Sequence, residues 1–155
     1  MVSSMDSPRI FVPPPLIVAG TLVAGLWLDG LLYVWPTTPT LLLIVGAVLI
    51  AGGLTFIGLA LRLFRKVGTR PEPWQPSSEL AQSGVYRFTR NPMYLGMTIV
   101  YSGIALALKS PTAGLLLLPL VAVLDRLVIA REEAYLGRRF GASFDAYRKR
   151  VRRWM

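Results

Sequence analysis

Two long apolar runs in the first half of the chain limit what it can fold into. Leu16 to Trp35 carries one charge, Asp29, and Leu41 to Phe64 carries one, Arg62, near its end. At 1.5 Å of rise per residue, either run is long enough as a helix to cross a hydrocarbon core of about 30 Å. The link Pro36-Thr37-Thr38-Pro39-Thr40 is short and rich in helix breakers, so residues 1–64 read as an antiparallel helical hairpin. Asp6, Arg9 and Pro13-Pro14-Pro15 precede a run too long for a signal core, so the first helix reads as retained. Tyr94 to Leu108 and Ala113 to Leu124 are shorter apolar runs, separated by Lys109-Ser110-Pro111. The last of them keeps a helical pattern through Asp125 and Arg126 toward Glu133, which predicts a polar continuation or a pocket wall. Composition agrees: 16% of residues are charged, against about 25% in soluble domains. The expected fold is all-α: one integral-membrane domain over residues 1–155, with about four transmembrane helices and a C-terminal amphipathic helix.

Charge sets the expected orientation. Of the 17 Lys and Arg residues, Lys109 alone falls between the third and fourth runs. The rest precede the first run, lie at the ends of or between the second and third, or lie at or after the end of the fourth. The positive-inside rule then puts both termini and the middle loop in the cytosol. A net charge of +9 on so apolar a chain points to an anionic membrane surface rather than to nucleic acid. Cysteine is absent, which removes disulfides, a thiolate nucleophile and Cys-built metal sites. Histidine is absent too, which removes the commonest general base and metal ligand. No metal is expected, and chemistry falls to Glu, Asp, Tyr, Arg, Lys, the backbone or a bound cofactor.

Two polar regions share the expected cytosolic side. The first is a proline-rich loop from Arg65 leading into Gly84-Val85-Tyr86-Arg87-Phe88-Thr89-Arg90-Asn91-Pro92-Met93-Tyr94-Leu95-Gly96. Asn91-Pro92 makes a good helix entrance, with Asn at the cap and Pro at the first position. The tract reads either as an ordinary basic juxtamembrane loop or as a site for a carboxylate or phosphate at a helix N-terminus. In the second region Asp125, Ile129, Glu132, Glu133 and Leu136 share one face of a regular helix. This is either a helix leaving the membrane with its acids balanced by Arg126 and Arg131, or a functional cluster of ionisable groups at membrane depth. Asp29 belongs with that cluster as a candidate. After Gly141, Ser143 is placed to cap a helix, with Asp145 in its first turn. Phe144, Tyr147, Val151 and Trp154 then form an aromatic stripe among Arg148, Lys149, Arg150, Arg152 and Arg153. Such a helix lies on the leaflet, or folds over a pocket mouth, and most of its arginines read as membrane anchors.

The tract Gly84 to Gly96, followed by Glu132-Glu133, Leu136, Phe140-Gly141, Phe144, Tyr147 and Val151, resembles the isoprenylcysteine carboxyl methyltransferase and phospholipid methyltransferase superfamily. Gly68-Thr69 and Pro73 add a weaker match. These are integral-membrane enzymes that use S-adenosyl-L-methionine (AdoMet). The usual form is Arg-His-Pro-x-Tyr-x-Gly, and this chain has Asn91 at the His position, which can hydrogen-bond but cannot move a proton. The resemblance implies a cofactor-binding part over residues 65–155, with Tyr86, Arg90, Asn91, Pro92, Met93, Tyr94, Leu95, Gly96, Glu132 and Glu133 forming the cofactor site. It assigns no residue to catalysis. Arg90 and the N–H groups near Asn91 and Met93 suit the AdoMet carboxylate; Glu132 or Glu133 suits its ammonium or ribose. Tyr94 or Tyr86 suits the sulfonium through a cation–π contact. Methyl transfer needs proximity and orientation, with no metal and no covalent nucleophile. The bare backbone at Gly96 is expected to admit close approach by the cofactor or by the helix carrying Glu132; plain helix packing is the other reading of that glycine. The implied acceptor is apolar or lipid-like and enters from the bilayer. The readings held against this one are an NADPH-dependent membrane reductase of the sterol-reductase type and a non-enzymatic membrane module.

Overall fold

The computed structural model of the protein describes residues 12–32, 39–66, 68 and 79–155. Arg9, Trp35, residues 36–38 of the first link, Thr69 and Pro73 lie outside the described residues. Helix α1 runs Pro14–Leu32, α2 Thr40–Lys66, α3 Pro92–Ala107 and α4 Pro111–Val123. A π-helical segment, Leu124–Ile129, joins α4 without a break to α5, Ala130–Phe140; α6 is Ala142–Arg150. A short 3-10 helix, Gly84–Arg87, precedes α3. Among the described residues there is no strand, as the all-α expectation requires.

Among the described residues three helices are long and apolar enough to cross a bilayer, Pro14–Leu32, Thr40–Lys66 and the continuous Pro111–Phe140, with the shorter apolar α3 beside them. Their outward faces stay apolar: Trp27, Val48, Leu115 and Leu118 are each more than 60% exposed. A helix apolar on all sides belongs in lipid or in a large core, and a 155-residue chain has too little core to cover these.

Glycine decides how α2 and α3 meet. A Cβ placed on Gly53 would sit 2.6 Å from the carbonyl oxygen of Gly96, and one on Gly96 would sit 2.7 Å from that of Gly53. Gly46 and Gly103 repeat the arrangement one heptad away, each Cβ falling 2.7 Å from the other's carbonyl oxygen. The paired numbers run in opposite directions, so the helices are antiparallel and their backbones touch. Small residues allow this approach, and in lipid dispersion contacts must supply the attraction. Gly25 does the same for α1, meeting the backbone of Ala113 on α4.

Polar pins add to the packing. Asp29, buried in α1, accepts hydrogen bonds from the hydroxyls of Ser110 and Thr112 and from the Thr112 N–H at the start of α4. A carboxylate suits a helix N-terminus, whose N–H groups lack intrahelical partners. Ser110 also caps α4 by accepting from the Ala113 N–H at 3.1 Å, and the Tyr101 hydroxyl donates to the Ala113 carbonyl at 2.8 Å. Asp29 thus serves to join helices. Among the described residues, α1 packs mainly on α4 and α3, and α2 on α3. The N-terminal pair read as a hairpin is therefore held by the second half of the chain rather than by itself.

Candidate functional site

The two polar regions meet at one end of the bundle. Asn91 stands at the cap of α3 and Pro92, buried, takes the first helical position, as the sequence suggests. The Asn91 side chain does not cap, however. Its Nδ2 donates to the Arg153 carbonyl at 2.9 Å, and its N–H is satisfied by Thr89 Oγ1 at 3.1 Å. From this entrance Tyr94 projects toward α5 and donates its hydroxyl to Glu132 Oε1. Tyr94 is buried and Glu132 half-buried. Among the described residues the second oxygen of Glu132 has no partner. Tyr86, held by the 3-10 helix, is buried close by, its ring edge-on to Phe64 of α2 at 5.5 Å. Burial first, and the Glu132 charge second, push the Tyr86 hydroxyl well above its ordinary range.

Arg90 faces the other glutamate. Its Nε and Nη2 donate to Glu133 Oε1 at 3.0 and 2.7 Å, and its Nη1 donates to the carbonyls of Arg148 at 3.1 Å and Val151 at 2.6 Å. Glu133 Oε2 accepts from Arg153 Nη2 at 2.5 Å, and Arg153 Nη1 reaches Asp125 Oδ2 at 3.0 Å. Trp154 Nε1 donates to Asp125 Oδ1 at 2.9 Å. The hydrogen bond to Glu133 holds the Arg153 guanidinium above its ordinary range. The two adjacent glutamates, which would repel if left together, are thus separated by function: one faces a phenol, the other two guanidinium groups.

The helix that carries them is irregular. In the π segment the Ala130 N–H bonds back five residues to the Asp125 carbonyl. A π turn holds an extra residue and turns everything downstream. This re-aims the face drawn from regular spacing: Asp125 and Glu133 share Arg153, Glu132 goes to Tyr94, Ile129 is buried, and Leu136 packs on the cluster around Ala60 and Tyr86.

Two expectations need correction. The approach expected at Gly96 from the Glu132 helix is made by α2, through Gly53 and Ile57. Ser143 does not cap α6: the helix starts at Ala142 after Gly141, whose φ of 50° breaks the chain from α5, and no side chain caps it. The aromatic stripe, read as lying on a leaflet or folding over a pocket mouth, turns inward onto the bundle. Phe144, Tyr147 and Val151 are buried against Ala60, Val85 and Tyr86, and the Tyr147 hydroxyl donates to the Tyr86 carbonyl at 2.8 Å. Burial pushes that hydroxyl up as well. Of the remaining tract residues, Met93 packs on this second cluster and Leu95 is buried in α3. Thr89, Asp125, Tyr147 and Arg153 support the site in ways spacing did not reveal, since their distant partners lie 20 to 64 residues away.

The arrangement brings one half-buried carboxylate together with two buried tyrosine rings, beside an ion-pair network. Among the described residues no group of three or more Asp and Glu side chains is placed to hold a metal. An uncharacterized protein of Haemophilus influenzae is 35% identical over 63 residues, which are 41% of this chain and 100% of that protein. No solved structure matches the chain. The model of the family described as phospholipid methyltransferase matches residues 41–143, a span that holds the helix-α3 tract, both glutamates and Asp125. The chain belongs to that family of integral-membrane methyltransferases.

Proposed function

We propose that the protein transfers a methyl group from AdoMet to an apolar or lipid-like acceptor at the cytosolic face of the membrane. The observation that carries the reading is the contact between Tyr94 and Glu132, which joins the two parts of the family motif 38 residues apart. Bound AdoMet supplies an electrophilic methyl on a sulfonium. The residues fit such a group: the Glu132 oxygen that has no partner among the described residues suits an ammonium or a ribose hydroxyl, and the rings of Tyr86 and Tyr94 suit a cation. The first-turn N–H groups of Met93 and Tyr94, which have no intrahelical partner, suit a carboxylate. Arg90 plays a supporting part. Its donors are engaged by Glu133 and by carbonyls of the tail, so it holds the wall that Asn91, Pro92, Leu95 and Gly96 continue. In this reading the chain positions donor and acceptor and excludes water, and most of the rate comes from orientation. The cytosolic placement rests on the charge distribution, since the site lies at the end of the bundle opposite Lys109.

The test is transfer of label. Membranes containing the protein, incubated with methyl-labelled AdoMet, should carry label into an organic-solvent extract above control membranes. Folded protein that labels no extractable acceptor would count against the lipid-like substrate.

A further inference from the structure

The last residues of the chain lie beyond the span that the family model matches, yet they make much of the site's polar framework. Four hydrogen bonds tie their backbone to the entrance of α3. The carbonyl of Val151 accepts from Arg90 Nη1, that of Arg152 from the Arg90 N–H at 3.0 Å, and that of Arg153 from both Thr89 Oγ1 at 3.0 Å and Asn91 Nδ2. Side chains tie the same segment to the helix bearing the glutamates, Arg153 to Asp125 and Glu133, and Trp154 to Asp125. Arg153 is the one residue among these whose backbone holds the α3 entrance while its side chain holds the other wall. Its guanidinium takes Glu133 Oε2 while Arg90 takes Oε1, so Glu133 is fixed from both sides.

We propose that Arg153 is a positioning residue of the cofactor site, acting through Glu133 and Arg90. The inference rests on the methyltransferase reading given above. Side chains of Glu133 and Arg90 are 17% and 13% exposed, so the charge released by removing Arg153 is poorly screened and must find another partner. Glu133 is adjacent in the chain to Glu132, which holds Tyr94, so a shift of Glu133 reaches the cofactor site. A guanidinium can bridge Asp125 and Glu133 because its donors are fixed in a planar fork; an ammonium cannot hold both with the same geometry. Trp154 keeps Asp125 oriented from the other side.

The experiment is calorimetric titration of S-adenosylhomocysteine into the purified full chain, together with its Arg153→Ala, Arg153→Lys and Asp125→Asn variants. Thermal stability in the same detergent is recorded for each. Arg153→Ala should weaken binding roughly tenfold or more, the scale of a lost charge-assisted hydrogen bond. Arg153→Lys should recover part of the loss, and Asp125→Asn should fall between wild type and Arg153→Ala. If Arg153→Ala fails to fold, the Lys and Asn variants decide, because a merely structural arginine would lose stability in both without a matching loss of affinity. Affinity equal to wild type in folded Arg153 variants overturns the inference alone. A wild-type chain that binds no S-adenosylhomocysteine overturns the methyltransferase reading and this inference with it.

Discussion

Glu132 and Glu133 are neighbours in sequence with opposite situations. Glu132 gives one oxygen to the Tyr94 phenol and keeps the other unpartnered among the described residues, whereas Glu133 is saturated by two guanidinium groups. The difference predicts two kinds of mutant. Glu132→Gln should keep the fold and weaken S-adenosylhomocysteine binding by about 10- to 150-fold, the equivalent of ~1.5–3 kcal/mol for a lost charge-assisted hydrogen bond. Glu133→Gln should lower stability in detergent as well as weaken binding, because it leaves Arg90 and Arg153 without their shared anion. Titration and thermal melts of the two variants side by side would check this, and equal behaviour of the two would contradict it. At this scale the sequence was partly legible. Tyr94 and the glutamate pair stood out, the first through the family motif and the second because ionisable groups beside apolar runs are costly without a partner. The division of labour between the glutamates could not, since it depends on a π segment that leaves no mark in residue spacing. Nor could the role of Arg153: one arginine among five basic residues from Arg148 to Arg153 looks like the others until its partners, 20 and 28 residues away, are known.

Helix packing follows from glycine positions that differ by one residue. Gly53 touches the Gly96 backbone, while nothing lies within 4 Å of a Cβ placed on Gly52. Gly53→Ala should therefore destabilise the protein by ~1–3 kcal/mol through overpacking against backbone that cannot turn aside. Gly52→Ala should be neutral or gain ~0.5–1 kcal/mol, because alanine restricts the unfolded chain more than glycine does. Gly96→Val should behave like Gly53→Ala, with a larger loss. Melting curves in one detergent measure all three, and equal effects at Gly52 and Gly53 would remove the seam from the account. The four apolar elements and their approximate limits were readable from hydropathy and from the breakers at Pro39, Pro92 and Pro111. Their partners were not. Chain order suggests that α1 and α2 pack together, but the glycine seams and the Asp29 pin send them to α3 and α4. The heptad spacing of Gly46 with Gly53 and of Gly96 with Gly103 was the available signal. The amphipathic pattern of α6 was equally visible, but an aromatic stripe looks the same whether it meets lipid or protein.

For the whole molecule, the charge asymmetry and the bundle make one claim about placement. Along the sequence, every basic residue but Lys109 precedes the first apolar run, lies at the ends of or between the second and third, or lies at or after the end of the fourth, so both termini should face the cytosol. Reporter fusions at Thr38 and after Met155 should report opposite sides of the membrane, and the same side for both would contradict a four-helix crossing. Membrane residence and family were legible in the sequence because long apolar runs and a spaced motif are local signals. The acceptor was not, because an apolar substrate is recognised by shape across several helices and leaves no charge pattern to read. The account rests on what the site around Tyr94 and Glu132 binds. Isothermal titration of the purified protein with S-adenosylhomocysteine, and separately with NADPH, tests that directly. The account predicts saturable binding of S-adenosylhomocysteine at one site per chain and no binding of NADPH; binding of NADPH without S-adenosylhomocysteine would contradict it.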